Sequence, residues 1–242
     1  MLEGRRIVLI GGTGDLGTAC AEAFLSKGSN VIATGNRHLE RLQALKETFR
    51  EKLVILSCDV RDPASVSLAA QSSLNMGMID SVVFNAGITR DNLVLSMEDD
   101  EWNSVLAVNL TGAFNVARAF GKILFRQRRG KFLFVSSVSA RKGGRGQANY
   151  AASKAGLEAF TRAFALEMAS RGVLVNVVSP GPLEGTMSGQ VMEIAGDEVK
   201  RRLALGRLGK PSEVAQFISH MLDPEFSWAT GSIFPIDGGF AI

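Results

Sequence analysis

The sequence predicts a single α/β domain, a doubly wound, seven-stranded parallel sheet with helices on both faces. Three observations predict it. Short apolar runs alternate along the chain with longer stretches at helical spacing, the rhythm of parallel strands joined by right-handed helical crossovers. Most of the short runs are apolar throughout rather than alternating, as expected of strands covered on both faces. No Pro/Ser-rich linker, repeat or low-complexity tract divides the 242 residues, so one large core is expected.

The strands are expected at Arg6–Ile10, Asn30–Thr34, Leu53–Ser57, Ser81–Phe84, Phe132–Val135, Val173–Val178 and Ser232–Ile236. Residues 15–27, 38–50, 63–75, 99–127, 147–170 and 211–222 can form helices between them. Residues 181–207 fall outside this rhythm, and so long an excursion is usually functional; a substrate lid is expected there. Hydrophobic residues make up 46% and charged residues 21%, ordinary for a soluble globular chain. No run of about 18 apolar residues is present, so no membrane insertion is expected. The first residues lead directly into a strand, with no room for a signal peptide. Cys20 and Cys58 form neither a disulfide framework nor a metal-ligand spacing, and no metal is expected. A cytoplasmic location, or an organelle matrix after loss of a leader, follows. The net charge of +3 suits an anionic ligand or an acidic partner. It does not suit nucleic acid, because no basic stripe carries interleaved aromatics.

Gly11-Gly12-Thr13-Gly14-Asp15-Leu16-Gly17 follows the first strand and opens the first helix. A turn of this kind lets the backbone approach a pyrophosphate, whose charge is stabilised by N–H groups at the helix N-terminus, as in Rossmann domains. The end of the second strand reads Gly35-Asn36-Arg37-His38. An acid there would bind a ribose 2′-hydroxyl and repel a 2′-phosphate. None is present, and Arg37 can pair with phosphate, so NADP(H) is favoured over NAD(H). Asp59, after the third strand, can accept from an adenine amino group or cap a turn. Asn85-Ala86-Gly87, after the fourth, is a small-residue turn that permits close approach of a cofactor.

Tyr150-Ala-Ala-Ser-Lys154 carries the most chemical information. Residues four apart share one helix face, and a neighbouring cation is expected to lower the phenol's pKa toward the range of acid–base catalysis. Ser137 ends the fifth strand, where a hydroxyl can bind a substrate carbonyl and stabilise a developing alkoxide. His38 and His220 lie in helix-like segments elsewhere and are expected at the surface. Asn109 is a polar residue inside a long apolar helix, where it either serves a helix bend or has a specific partner.

In this order, the glycine turn, Asp59-Val60, Asn85-Ala86-Gly87, Asn109, Ser137, Tyr150/Lys154, Pro180-Gly181 and Asp237-Gly238-Gly239 resemble the short-chain dehydrogenase/reductase superfamily over essentially the whole chain. The resemblance implies a catalytic tetrad. Tyr150 donates the proton, Lys154 lowers its pKa and holds the nicotinamide ribose, Ser137 orients the carbonyl, and Asn109 holds a water. It implies a cofactor site that includes Gly11, Thr13, Gly14, Asp15, Leu16, Gly17, Asn36, Arg37, Asp59, Val60, Asn85, Ala86, Gly87, Pro180 and Gly181. Longer stretches, Ala86–Leu93, Gly146–Tyr150, Gly206–Gly209 with Pro211, and Asp237-Gly-Gly, resemble the 3-oxoacyl-[acyl-carrier-protein] reductases. Acetoacetyl-CoA reductases and other carbonyl reductases share much of them. That likeness implies reduction of a 3-oxoacyl thioester with NADPH, and an acyl carrier protein docked beside the active-site mouth on Arg128 and Arg171. Capping of helix ends is the alternative for those arginines. It also implies a homotetramer joined by the two long helices and the C-terminal region. Phe114, Ala117, Phe120, Leu124, Phe160, Phe164 and Leu166 are more apolar surface than one sheet face needs, unless they simply cover it. The chain departs from the superfamily pattern at Ile10, Gly14 and Asp15, so no glycine-turn arginine can grip a 2′-phosphate and Asp15 brings a negative charge near the phosphates. It departs again at Gly185, where threonine is usual and Thr186 comes one residue later.

Overall fold

β1 (Arg6–Ile10), β2 (Asn30–Gly35), β3 (Leu53–Ser57), β4 (Ser81–Phe84), β5 (Gly130–Val135), β6 (Val173–Pro180) and β7 (Ile233–Ile236) form one parallel sheet in the order β3-β2-β1-β4-β5-β6-β7. The computed structural model describes residues 2–36, 38–185 and 189–242, with the side chains of 189–195 excepted. Every expected strand is present in register with its neighbours, for example Ile7 opposite both Val31 and Ser81. The pleat explains why the strands read as unbroken apolar runs. Ile7 and Leu9 face one core, with Cys20, Phe24, Leu42, Val214 and Ile218. Val8 and Ile10 face the other, with Val66, Val116, Phe120, Leu157 and Phe164. Helices α1 (Asp15–Ser26), α2 (Glu40–Phe49) and α9 (Pro211–Leu222) cover the first face. Helices α3 (Pro63–Asn75), α5 (Gly112–Gln127) and α7 (Ala148–Ala169) cover the second. β1 and β4 are neighbours whose onward crossovers diverge, which opens a crevice at their carboxyl ends.

Three elements differ from expectation. The helix expected over 99–127 is interrupted: α4 (Asp99–Leu106) passes through a π-helical turn at Ala107–Thr111 before α5 begins. A short helix, α6 (Ser139–Lys142), follows Ser137. The expected lid contains a helix, α8 (Gly189–Arg202), and its far end rests on the C-terminal segment, where Leu205 N–H donates to Gly238 C=O at 3.1 Å. At four residues α6 is too short to show a helical apolar period in the sequence.

The amino edge of the sheet is fastened by a lysine. Lys131, second residue of β5, donates from Nζ to the carbonyls of Met221 (2.9 Å), Asp223 (2.5 Å) and Phe226 (2.5 Å). These include carbonyls at and just beyond the end of α9, where a cation also meets the negative end of the helix dipole. Burial lowers the Lys131 pKa to about 8. Across the described residues, no helix is long and apolar enough to cross a membrane.

Candidate active site

The crevice is floored by the glycine turn. Gly11 has φ +85°, and a Cβ there would stand 2.5 Å from Ala86 N, so glycine is required by the close approach of the turn after β4. Asn85 Nδ2 donates to Gly11 O at 2.7 Å and ties the two turns together. A Cβ on Gly17 would collide with Gly11 O, so α1 starts hard against the turn. Gly14 is the N-cap of α1 in extended conformation without a side-chain cap, and nothing crowds its Cβ direction. The first N–H groups of α1 therefore have no intrahelical acceptor, and their N-cap residue offers no side chain to receive them. Thr13 lies at the tip of this turn, and Leu16 packs inward against the α1–α9 core.

Asp15 is less hostile to phosphate than its charge suggests. Arg41 Nη1, from the first turns of α2, pairs with Asp15 Oδ1 at 2.5 Å. Gly185 lies against the same carboxylate. Sequence reading missed Arg41, because the partners are far apart in the chain. Asn36 donates to Asp59 Oδ2 at 3.2 Å, and Arg61 pairs with Asp59 at 2.6 Å. Hydrogen bonding from Arg61 holds the Asp59 carboxyl below its usual range. Val60 is buried and packs against Gly112, while its carbonyl accepts from Asn115. Arg37 and Thr186 lie outside the described residues.

Asn109, Ser137, Tyr150 and Lys154 come together at the carboxyl edge. Asn109 sits at the centre of the π-helical turn and is completely buried. Its Oδ1 accepts from Ile88 N at 2.9 Å; its Nδ2 donates to Ile88 O (3.0 Å) and Ser153 Oγ (3.0 Å). Both readings of this residue therefore hold at once: it marks a helix irregularity and has specific partners. Ser137 Oγ accepts from Ser139 N at 3.2 Å, which sets the hydroxyl's direction. The Ser137 side chain also lies close to the Tyr150 phenol and favours its ionised form. Burial pushes that phenol up to about 12, and Ser137 opposes the shift. Lys154 Nζ donates to Val135 O at 2.8 Å and lies 5.6 Å from the centre of the Tyr150 ring. Here the expected ordering of effects is reversed: desolvation of the phenol outweighs any help from the ammonium. Lys154 itself is pulled down by burial to about 8. Gly87 faces this group, and a Cβ there would stand 3.4 Å from Lys154 Nζ and 3.5 Å from Asn109 Oδ1.

A second tier of polar residues holds the loop after β4 to the start of α7. Asn149, completely buried, donates to Arg90 O (2.8 Å) and Glu101 O (3.1 Å) and accepts from Tyr150 N (2.7 Å). Gln147 Nε2 donates to Asp91 Oδ2 at 2.9 Å, and Asn92 N to Gly146 O at 2.9 Å. The motif pairs Ala86–Leu93 and Gly146–Tyr150 are thus two sides of one zipper. Pro180 O accepts from Val138 N at 3.0 Å, and Gly181 packs so closely on Asp237 that a Cβ would reach 2.6 Å from its Cα. His38 and His220 are exposed, as expected.

Arg128 and Arg171 lie elsewhere. Arg128 caps α5 in left-handed conformation (φ 55°), and the Arg171 guanidinium stands 4.3 Å from the Phe125 ring centre. In a parallel sheet, the residues between a helix and the next strand sit at the amino edge, opposite the crevice. With a rise of about 1.5 Å per residue, α7 separates Arg171 from Tyr150 by roughly 30 Å. Within one chain the pair is not beside the mouth. Most of the apolar residues on the two long helices face the core. Ala117, Phe120, Leu124 and Phe164 are buried in the sheet core and Phe160 packs on it, leaving Phe114 (45%) and Leu166 (82%) exposed.

Comparison with known proteins agrees with this architecture. A family model described as Enoyl-(Acyl carrier protein) reductase matches residues 13–241. The 3-oxoacyl-[acyl-carrier-protein] reductase FabG of Escherichia coli K12 is 35% identical over 238 residues, covering 98% of this chain and 97% of that protein. The FabG of Thermotoga maritima is 38% identical over 244 residues, covering 100% and 99%. Among solved structures, the crystal structure of gox2181 superposes with TM-score 0.93 at 29% identity, covering 98% and 96%.

Proposed function

Because the chain belongs to the short-chain dehydrogenase/reductase family, an oxidoreductase family that uses NAD(P), we propose that it reduces a 3-oxoacyl thioester with NADPH. The acyl-carrier-protein form, in cytoplasmic fatty-acid elongation, is the favoured substrate. One observation carries the reading: the Ser137 and Tyr150 hydroxyls meet each other beside a buried lysine. Two hydroxyls converging on one point suit an oxygen, which has two lone pairs to receive them. Reduction of a carbon–carbon double bond puts its proton on carbon, so the pair favours the carbonyl over the enoyl thioester named by the family model.

The residues fit a nicotinamide dinucleotide. The start of α1, where the N-cap Gly14 supplies no capping side chain, suits a pyrophosphate. Gly11, Gly17, Asn85 and Ala86 hold that turn in shape, and Thr13 and Leu16 complete it. Asn36, Asp59 and Val60 suit the adenosine side, to which the sequence also assigns Arg37, and Pro180 and Gly181 suit the nicotinamide side. Gly87 keeps clear the space beside Lys154 and Asn109, where the nicotinamide ribose belongs. The cofactor, when bound, supplies the hydride. Ser137 orients the carbonyl and stabilises negative charge on its oxygen. Tyr150, un-ionised at neutral pH, is the proton donor, and Lys154, with a pKa of about 8, is matched to replacing that proton. Asn109 uses both amide hydrogens on protein, and one lone pair of Oδ1 is left for a water.

The Arg41–Asp15 pair and the absence of an acid after β2 support NADPH over NADH, by roughly tenfold to a hundredfold in kcat/KM for charge-assisted contact to one phosphate. If Arg128 and Arg171 dock a carrier protein, the mouth they serve belongs to another subunit of a homotetramer. The deciding experiment offers 3-oxoacyl and enoyl thioesters, each on carrier protein and on CoA, with NADPH or NADH. Reduction of the 3-oxoacyl carrier form with NADPH is expected; turnover of the enoyl form alone overturns the reading.

A further inference from the structure

Glu158 is a buried acid with no part in the proton path described above. It lies one helical turn beyond Lys154 on α7, with its side chain 7% exposed. Two contacts hold it, and both belong to the segment that carries Ser137. Ser136 Oγ donates to Glu158 Oε1 at 3.1 Å, and Arg141 Nε, on α6, stands 3.9 Å from Glu158 Oε2. Ser136 Oγ also reaches the Lys154 carbonyl at 3.4 Å. Three consecutive residues at the end of β5 thus each touch α7: Val135 O meets Lys154 Nζ, Ser136 meets Lys154 O and Glu158, and Ser137 meets Tyr150. In that ladder Glu158 is the acid. Burying a carboxylate is costly unless it is hydrogen-bonded, so a purely structural position would favour an apolar residue. The Arg141 pair is half exposed and long, so the Ser136 bond is the stronger hold.

We propose that Glu158 is a positioning residue: by gripping Ser136 and, more weakly, Arg141, it fixes the strand end so that the Ser137 hydroxyl meets the Tyr150 phenol. The proposal deepens the reading above and rests on it for the role given to Ser137.

Tyr150 is the chain's single tyrosine, which provides a readout independent of turnover. Protein labelled with 13C at the tyrosine Cζ gives one resonance, sensitive to the phenol's hydrogen bonding. Ser137→Ala defines its position when the serine contact is gone. Glu158→Ala and Ser136→Ala are expected to move it in the same direction, and Glu158→Gln, whose amide oxygen can still accept from Ser136, to recover most of the wild-type position. In turnover, Glu158→Ala should lose about tenfold or more in kcat, since misplacement from outside the chemistry commonly costs that much, with the NADPH Kd unchanged. If Glu158→Ala does not fold, Ser136→Ala decides. A resonance that stays put in Glu158→Ala or Ser136→Ala, or one that moves as far in Glu158→Gln as in Glu158→Ala, overturns the positioning role. Failure of the wild type to reduce any 3-oxoacyl thioester, with the resonance pattern intact, instead overturns the substrate reading alone.

Discussion

Two lysines sit at opposite edges of the same sheet, and burial brings both down to about 8. At the amino edge, Lys131 gives Nζ to three carbonyls, all from the segment that ends and follows α9. At the carboxyl edge, Lys154 gives Nζ to the single carbonyl of Val135 and faces an aromatic ring, with Gly87 holding the space beside it clear. The same displacement from the ordinary lysine range therefore means different things. An ammonium with three carbonyl partners is a fastener. One that meets a single carbonyl, a phenol and an open wall can exchange its proton.

The sharpest way to break this contrast is at the phenol that Lys154 serves. Tyr150→Phe should lower kcat by at least about a hundredfold, the lower end of what general acid catalysis contributes, while NADPH binding measured by fluorescence titration stays near wild type. Retention of a tenth of the wild-type rate would remove Tyr150 from its role.

Exchanging the lysines for methionine tests the two edges directly. Lys154→Met should cost about tenfold to a hundredfold in kcat and little in Tm. Lys131→Met should leave kcat within about twofold but lose about 1–3 kcal/mol of stability, several degrees in Tm, because three carbonyls lose a charged donor. Equal kinetic losses in both variants would erase the distinction.

The pH profile sharpens it. If the protonated form of Lys154 replaces the phenol's proton, kcat for reduction stays flat below about 8 and falls as pH rises through that value. Lys131→Met should keep this alkaline limb, and Lys154→Met should lose it. For stability the sign runs the other way. Both folded-state values lie below the ordinary lysine value of 10.5, so the unfolded chain binds more protons between about 8 and 10.5, and stability gains a rising contribution with pH across that window. Each variant should remove its own share, read as a flatter dependence of Tm on pH.

The smallest expected effect is at the amino edge's arginines. Reversing Arg128 and Arg171 to glutamate together should slow kcat/KM several-fold on carrier-bound substrate at low salt, with little change for the CoA thioester of the same acyl group. Equal loss on both substrates would mean the pair caps helices and docks nothing.

The sheet was legible because its signal is local: seven short apolar runs, each recovered as a strand. Tyr150 and Lys154 were legible because they are four apart on one helix face, and Ser137 because it ends a strand; the roles assigned to them and to Asn109 came from the family resemblance. What stayed hidden depends on distant pairs. Arg41 neutralises Asp15 from another helix, and Asn149 bonds Arg90 and Glu101 across the chain. Glu158 reads as one more polar residue on α7 until Ser136 is found beside it. The place of Arg128 and Arg171 also needed the fold, because a parallel sheet sends the residues that precede its strands to the edge far from the Tyr150 mouth of the same chain.

The π-helical turn around Asn109 has a bearing on how this gene can vary. A π turn closes hydrogen bonds one residue wider than an α turn, so Ala107–Thr111 behaves as an α-helix into which one residue has been inserted. Removing one residue there would let α4 and α5 merge into a straight rod, locally more regular. It would also turn everything upstream by about 100° relative to α5, and Asn109 could no longer meet both Ile88 and Ser153. The phase of the whole helix is thus locked by a single surplus residue, and a one-codon deletion that improves the helix as a helix should silence the enzyme.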